Sequence, residues 1–300
     1  PFYYETLEPL DTSQALFSSS FSRTYPLKIG ERLYFNRNIK YVDGIYQKQY
    51  SPDYPYQVAD DLFLRADWKD TIYRRAYDSE LKSREYRYSG LGFYMFQQII
   101  ETATDTMLYP YVWYNFYNPM GAHTLGYLPL SRFPRERIVP TENDLYFRRQ
   151  LLQGHVHDMG AAMLGGVSGN AGLFGSANDL AKMMKMFLNG GTYGKRMYIR
   201  QSTLELYTSC YNCEEQNHRG LGFNKPVFWE EDAGPACNSA SPSSFGHSGF
   251  TGTLAWADPE YELLYIFLSN RVHPNMGNNK LIDMNVRTDV QQVIYNALMD

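Results

Sequence analysis

Three β-rich runs near the C-terminus, closed by one helical pattern, constrain the fold more than any other feature. They are 220-GLGFNKPVFW-229, 252-GTLAWADP-259 and 262-ELLYIFLSN-270, each separated from the next by turn residues. The last is nearly continuous in apolar residues and is expected to be a central, buried strand. After it, 279-NKLIDMNVRTDVQQVIYNALM-299 places Leu281, Val286, Val290, Val293, Ile294 and Leu298 largely on one helical face. Consecutive strands followed by a helix imply a mostly antiparallel sheet with helices packed on it, an α+β architecture. No repeat or linker interrupts the chain. A single domain is therefore expected over 1–300, with 1–210 mainly helical or irregular and 211–300 supplying the strands and closing helix.

Upstream, residues 1–80 are rich in Tyr and Asp and read as long excursions with short helices, one of them in 67-DWKDTIYRRAYDSEL-81. In 89-SGLGFYMFQQIIETAT-104, Leu91, Tyr94, Met95 and Ile99 recur at helical spacing, and Phe96 and Ile100 widen the stripe, which predicts a buried helix. Prolines 110, 119, 129, 134 and 140 punctuate the stretch that follows. Ser176-Ala-Asn-Asp179 and Ser202-Thr-Leu-Glu205 carry the N-cap pattern and open two further helices, the first ending at Gly190-Gly191. Leu180, Met183, Met184 and Phe187 form its apolar stripe, best explained by core packing.

Composition excludes several classes. The 28 Lys+Arg against 32 Asp+Glu give a net charge of −4 without a basic stripe, which argues against nucleic acid as a partner. Apolar runs such as 263-LLYIFL-268 are far too short to cross a bilayer. The N-terminal PFYYETLEPL lacks the pattern of a signal peptide. Starting at Pro1, the chain is expected to be processed or cut from something longer. The 27 Tyr and 17 Phe are unusual; Tyr suits wet clefts because its hydroxyl asks for a partner, although a compositional habit explains the count as well. Cys210 and Cys213 form a Cys-x-x-Cys with His218 near by, and Cys237 stands apart. Unlinked loop thiols are expected, with a zinc site or a disulfide to Cys237 as the alternatives. No cofactor is called for.

Several segments approach catalytic motifs without completing them. Gly246-His247-Ser248-Gly249-Phe250 and Gly166-Val167-Ser168-Gly169-Asn170 each miss the last glycine of a nucleophile elbow. The glycine-rich 165-GGVSGNAGLFGS-176 lacks the Gly-Lys-Ser/Thr of a phosphate loop, so its glycines are expected to allow close backbone packing. A Ser-x-x-Lys pair, in which the lysine takes the serine proton, occurs only as Ser79-Glu-Leu-Lys82 and reads as a surface coincidence. If 245–249 is extended, His247 and Ser248 point to opposite faces and cannot act as base and nucleophile.

Together, 86-YRYSGLGFYMFQQIIE-101, 154-GHVHDMGAAMLGGVSGNAGLFGSANDLAKMMKMFLNGG-191 and 245-FGHSGFTGTLAWADPE-260 with 262-ELLYIFLSNRVHP-274 resemble the serine β-lactamase-like family, which includes class C β-lactamases, penicillin-binding proteins and related esterases. The resemblance covers roughly residues 80–300 and is closest to the subgroup often fused to a family 3 glycoside hydrolase. It implies a β-lactamase/transpeptidase-like fold, represented here without its N-terminal part, and acyl-enzyme hydrolysis of a small-molecule or peptide amide or ester such as a peptidoglycan-like peptide. It implies an extracytoplasmic, periplasmic location. By this resemblance Tyr88 would assist proton transfer, and His247, Ser248 and Gly249 would line the opposite wall. The Phe250 N–H would supply half of the oxyanion hole. The pattern departs at Gly90, where the family has Asn or Asp, and the Ser-x-x-Lys helix would lie upstream of Pro1. These 300 residues are thus expected to be inactive alone, the alternative being a non-catalytic module attached to a glycoside hydrolase.

Overall fold

A computed structural model describes residues 1–81, 83–229 and 234–299. Two compact units are built, one from Pro1–Leu108 with Tyr127–Leu173, the other from Tyr109–Gly126 with Phe174 onward. Every strand pairing among the described residues is antiparallel.

The first unit departs from the irregular segment expected over 1–80. Before residue 65 it carries eight short strands: Leu7–Pro9, Phe17–Ser18, Leu27–Gly30, Leu33–Phe35, Ile39–Tyr41, Tyr46–Gln47, Tyr56–Ala59 and Leu62–Leu64. Strands of two to four residues are too short to show a two-residue alternation, which is why no periodicity announced them. Their inward side chains, with Phe35, Leu64, Ile72, Phe147, Leu152 and Met163 all fully buried, form one core. The tyrosines bury their rings in it and place their hydroxyls on polar partners. Tyr46 meets Thr6 Oγ1 at 3.1 Å, and Tyr41 donates to the Phe147 carbonyl at 3.0 Å.

The helix read in 67–81 forms over Asp67–Tyr77, and that of 89–104 over Leu91–Thr104. The second is only half covered. Tyr94 and Gln97 face inward, whereas Phe96 and Ile99, placed in the apolar stripe, are each 58% exposed. Gln97 is tied inward through its amide nitrogen, Nε2 donating to the Val167 carbonyl at 3.2 Å and to Glu101 Oε1 at 3.1 Å, while its buried Oε1 has no partner among the described residues. This tie brings the glycine-rich segment onto the helix. A Cβ on Gly169 would run into the Phe93 carbonyl oxygen, so close backbone packing is the use of that glycine.

The second unit centres on a three-stranded sheet ordered Phe245–Ser248, Leu254–Asp258, Leu263–Phe267. The central strand is therefore 254–258, and the apolar run 263–267, expected at the centre, pairs only on one side among the described residues. Helices on both faces let that strand be apolar. The helix Ala177–Leu188 is capped as its sequence predicts, Ser176 Oγ accepting from the Asp179 N–H at 3.3 Å. Its Met184 meets Phe245 and Ala257, while Met186, outside the expected stripe, is fully buried with Met120 and Leu125. On the sheet's other face, Leu254, Trp256 and Tyr265 pack with Tyr295 of the helix Val286–Met299.

Three further readings are corrected. The helix opened at Ser202 starts instead at Gln201, runs to Thr208 and has no side-chain cap, because Ser202 is already inside its first turn. The closing helix is two, Lys280–Asp283 and Val286–Met299, broken where Asn285 takes a left-handed φ of +49°. Its buried face is Gln291 and Tyr295, with Val293 and Leu298 exposed. Residues 220–229 do not form a strand. Only Asn224 bridges Gly246, since Gly220–Phe223 closes a turn and Pro226 has no N–H to give.

Candidate active site

His247 and Ser248 sit at the exit of the strand Phe245–Ser248, opposite Ala255 and Leu254. They therefore face opposite sides, and Ser248 shares its face with the buried Leu254. The hairpin then closes over four residues, with the Gly249 N–H donating to the Thr253 carbonyl at 2.8 Å and the Gly252 N–H to the Gly249 carbonyl at 3.0 Å. Gly252 takes a φ of +110°, which L side chains rarely adopt. Phe250 lies at the tip of this turn with its ring 58% exposed. Arg271, which no motif singled out, clamps it. Its Nε donates to the Phe250 carbonyl at 2.8 Å and its guanidinium lies 4.4 Å from the ring centroid.

His247 is held at both ring nitrogens. Nδ1 lies 2.6 Å from the Ser248 carbonyl and Nε2 3.2 Å from Arg219 Nη1. Arg219 also donates to Asn224 Oδ1. The loop that delivers Arg219 is fastened locally. The Arg219 N–H donates to Asn217 Oδ1 at 3.2 Å, and Asn224 exchanges two backbone hydrogen bonds with Gly246, at 2.7 and 3.1 Å. Burial pulls the His247 pKa below the ordinary imidazole value; the Ser248 carbonyl opposes this, and the Arg219 charge adds to it.

Upstream of Arg219, Cys210 and Cys213 are joined in a disulfide, which corrects the expectation of unlinked thiols and of a partner in Cys237. The Cys-x-x-Cys loop folds back on itself, Cys210 Sγ lying 3.3 Å from the Asn217 carbonyl, and brings its two sulfurs together. Cys237 is free and buried. Among the described residues, no group of three or more His, Cys, Asp or Glu is placed to hold a metal ion.

In the first unit, Tyr88 stands 67% exposed, two residues before Gly90, which caps the helix Leu91–Thr104. Ser89 Oγ accepts from the Leu91 N–H at 3.2 Å. At Gly90, a Cβ would stand 3.0 Å from Asn170 Nδ2. The space that a side chain at 90 would enter is thus held by a carboxamide from the glycine-rich segment, whose Oδ1 is buried and without a hydrogen-bond partner. Ser168, the other near-miss elbow serine, is 1% exposed and cannot meet a substrate as it stands. Of the Ser79-x-x-Lys82 pair, Ser79 Oγ donates to the Ala76 carbonyl at 2.8 Å, and Lys82 lies outside the described residues.

The sequence of the Beta-lactamase family matches residues 49–284, and the chain belongs to that family. Its α+β, antiparallel architecture is the β-lactamase/transpeptidase-like fold. Two curated relatives carry D-alanyl-D-alanine carboxypeptidase in their names. One, from Escherichia coli K12, is 34% identical over 62% of this chain and 45% of its own length. The other, from Salmonella enteritidis PT4, is 32% identical over 77% of this chain and 56% of its own. The chain spans about half the length of these relatives. A solved structure of the LovD6 mutant of simvastatin synthase from Aspergillus terreus superposes with a TM-score of 0.51 at 16% identity, covering 78% of this chain and 61% of that one. Among the described residues, no helix is long and apolar enough to cross a membrane.

Proposed function

We infer that these residues form the substrate-facing wall of a serine acyl hydrolase that opens an amide or ester through an acyl-enzyme. The turn 249–252 carries the reading. It places Phe250 just past the strand Phe245–Ser248, its carbonyl accepting from Arg271 Nε, at the position to which the family resemblance assigns half of the oxyanion hole. A serine Oγ would attack the acyl carbonyl, the oxyanion would rest on the Phe250 N–H and the nucleophile's own N–H, and water would release the acyl group. Tyr88 would relay the proton between nucleophile and leaving group. The family membership and the names of the relatives support small-molecule or peptidoglycan-like peptide substrates.

Neither near-miss serine suits the nucleophile's role, since Ser248 shares its face with the buried Leu254 and Ser168 is covered. The 300-residue chain is therefore expected to be inactive alone. Gly90 favours a second reading, a non-catalytic binding module attached to a glycoside hydrolase, because the side chain that would hold substrate there is absent. Acylation of the full-length protein by a fluorescent penicillin or a fluorophosphonate, mapped by peptide mass, separates the two. Labelling of a serine in a Ser-x-x-Lys pair supports the hydrolase, and a protein that never labels supports the module.

A further inference from the structure

We propose that Arg219 is a positioning residue, which fixes His247 as its Nδ1–H tautomer with the Nε2 lone pair turned to the guanidinium. Two contacts of the ring point to one tautomer. A carbonyl oxygen has no hydrogen to donate, so at 2.6 Å from the Ser248 carbonyl it is Nδ1 that carries the proton. A guanidinium has no lone pair to offer, so at 3.2 Å from Arg219 Nη1 it is Nε2 that accepts. The doubly protonated imidazolium would set an N–H against a cation, and the other neutral tautomer would fail at both contacts.

Arg219 is itself aimed from elsewhere. Asn224 takes a second hydrogen bond from the same Nη1, and its backbone is zipped to Gly246, the residue before His247. Beyond burial, the Arg219 charge itself disfavours protonation of the ring. The consequence for the site rests on the function inferred above. A His247 whose two nitrogens are committed has no proton to give and no lone pair to receive one. The fixed positive charge beside this wall then belongs to Arg219 and Arg271, and His247 contributes a neutral ring held in place by Arg219. The hydrogen-bond assignment itself stands without that reading.

Long-range nitrogen–proton NMR of the histidine rings in the intact chain reads the tautomer directly, with no need for activity. In the wild type, His247 is expected to be neutral and protonated at Nδ1 through neutral pH. Arg219→Gln should raise the titration midpoint toward the free imidazole value near 6.5 and let a proton appear on Nε2 as the ring charges. Arg219→Lys, which keeps a cationic donor, should restore much of the wild-type signature. A wild-type ring protonated at Nε2 overturns the proposal, as does an Arg219→Gln ring with unchanged tautomer and midpoint in a chain whose amide spectrum is otherwise preserved. The wild-type measurement decides the matter even if the glutamine variant does not fold. An absence of acylation in the full-length protein would remove the hydrolase reading and leave this result untouched.

Discussion

His247 and Ser248 are neighbours in sequence that face opposite sides of one strand, His247 across from Ala255 and Ser248 across from Leu254. That relation decides what the Gly-His-Ser-Gly segment can do. The serine belongs to the face covered by Trp256 and Tyr295, and the histidine is engaged by Arg219 on the other. They cannot pass a proton between them without leaving the sheet.

The first unit should depend on a buried charge network. Arg148 Nε lies 2.7 Å from Asp144 and its Nη2 3.5 Å from Glu142, and all three side chains are 2% exposed or less. Arg148→Met would leave Asp144 buried on backbone donors alone and Glu142 with only His157, and should cost about 3–5 kcal/mol in urea unfolding. Burial alone would push the Asp144 carboxyl up; the guanidinium and the backbone donors of Phe147 and Arg148 outweigh it and hold it below the usual carboxylate range. Its contribution should be complete above an unfolded pKa of about 3.9, and be lost as pH falls through the folded value. The arginine variant should lose this acid-labile component.

Lys225 should act in the opposite sense. Burial brings its ammonium down to about 8, although Nζ donates to the Ser243 carbonyl at 3.1 Å. The folded chain binds this proton less tightly than the unfolded chain does, so the charge costs stability below about pH 8, and the cost fades as pH climbs toward about 10.4. Lys225→Met should raise stability at neutral pH by on the order of 3 kcal/mol, and the advantage should shrink across that window. Paired urea curves at several pH values check both the size and the slope.

Gly90 and Asn170 should be energetically coupled, because the carboxamide fills the space beside the glycine. Gly90→Asn alone should destabilise the first unit by crowding Asn170. Combined with Asn170→Ala it should cost less than the sum, with a coupling of about 0.5–3 kcal/mol in a double-mutant cycle. Additive effects would separate the two positions.

The cysteines give a counting test. The native, unreduced chain should show no readily reacting thiol, because Cys210 and Cys213 are paired and burial raises the Cys237 thiol pKa. Unfolding without reductant should release one. The disulfide closes so short a loop that Cys213→Ser should cost no more than about 2 kcal/mol.

Long, strongly patterned elements were legible in the sequence, and short or externally satisfied ones were not. The helix at 177–188 announced itself through its cap and its glycine stop, and the strands at 254–258 and 263–267 through their apolar runs. The eight strands before residue 65 are too short for a period to register. The helix at 91–104 was misread on one face because a glutamine, not an aliphatic, fills the inward position, its amide nitrogen tied to a carbonyl 70 residues away. Residues 247–250, the proposed wall, stand out in the sequence as a motif. Arg219, Asn224 and Arg271 do not, because they carry no spacing signal and matter only through where the loop bridge and the turn deliver them.

The most direct test is intact mass spectrometry of the 300-residue chain after incubation with a fluorophosphonate and, separately, with a fluorescent penicillin. No covalent adduct is expected at any serine, with Ser248→Ala indistinguishable from the wild type. A stoichiometric acyl or phosphonyl adduct on this chain, above all one mapped to Ser248, would contradict this expectation.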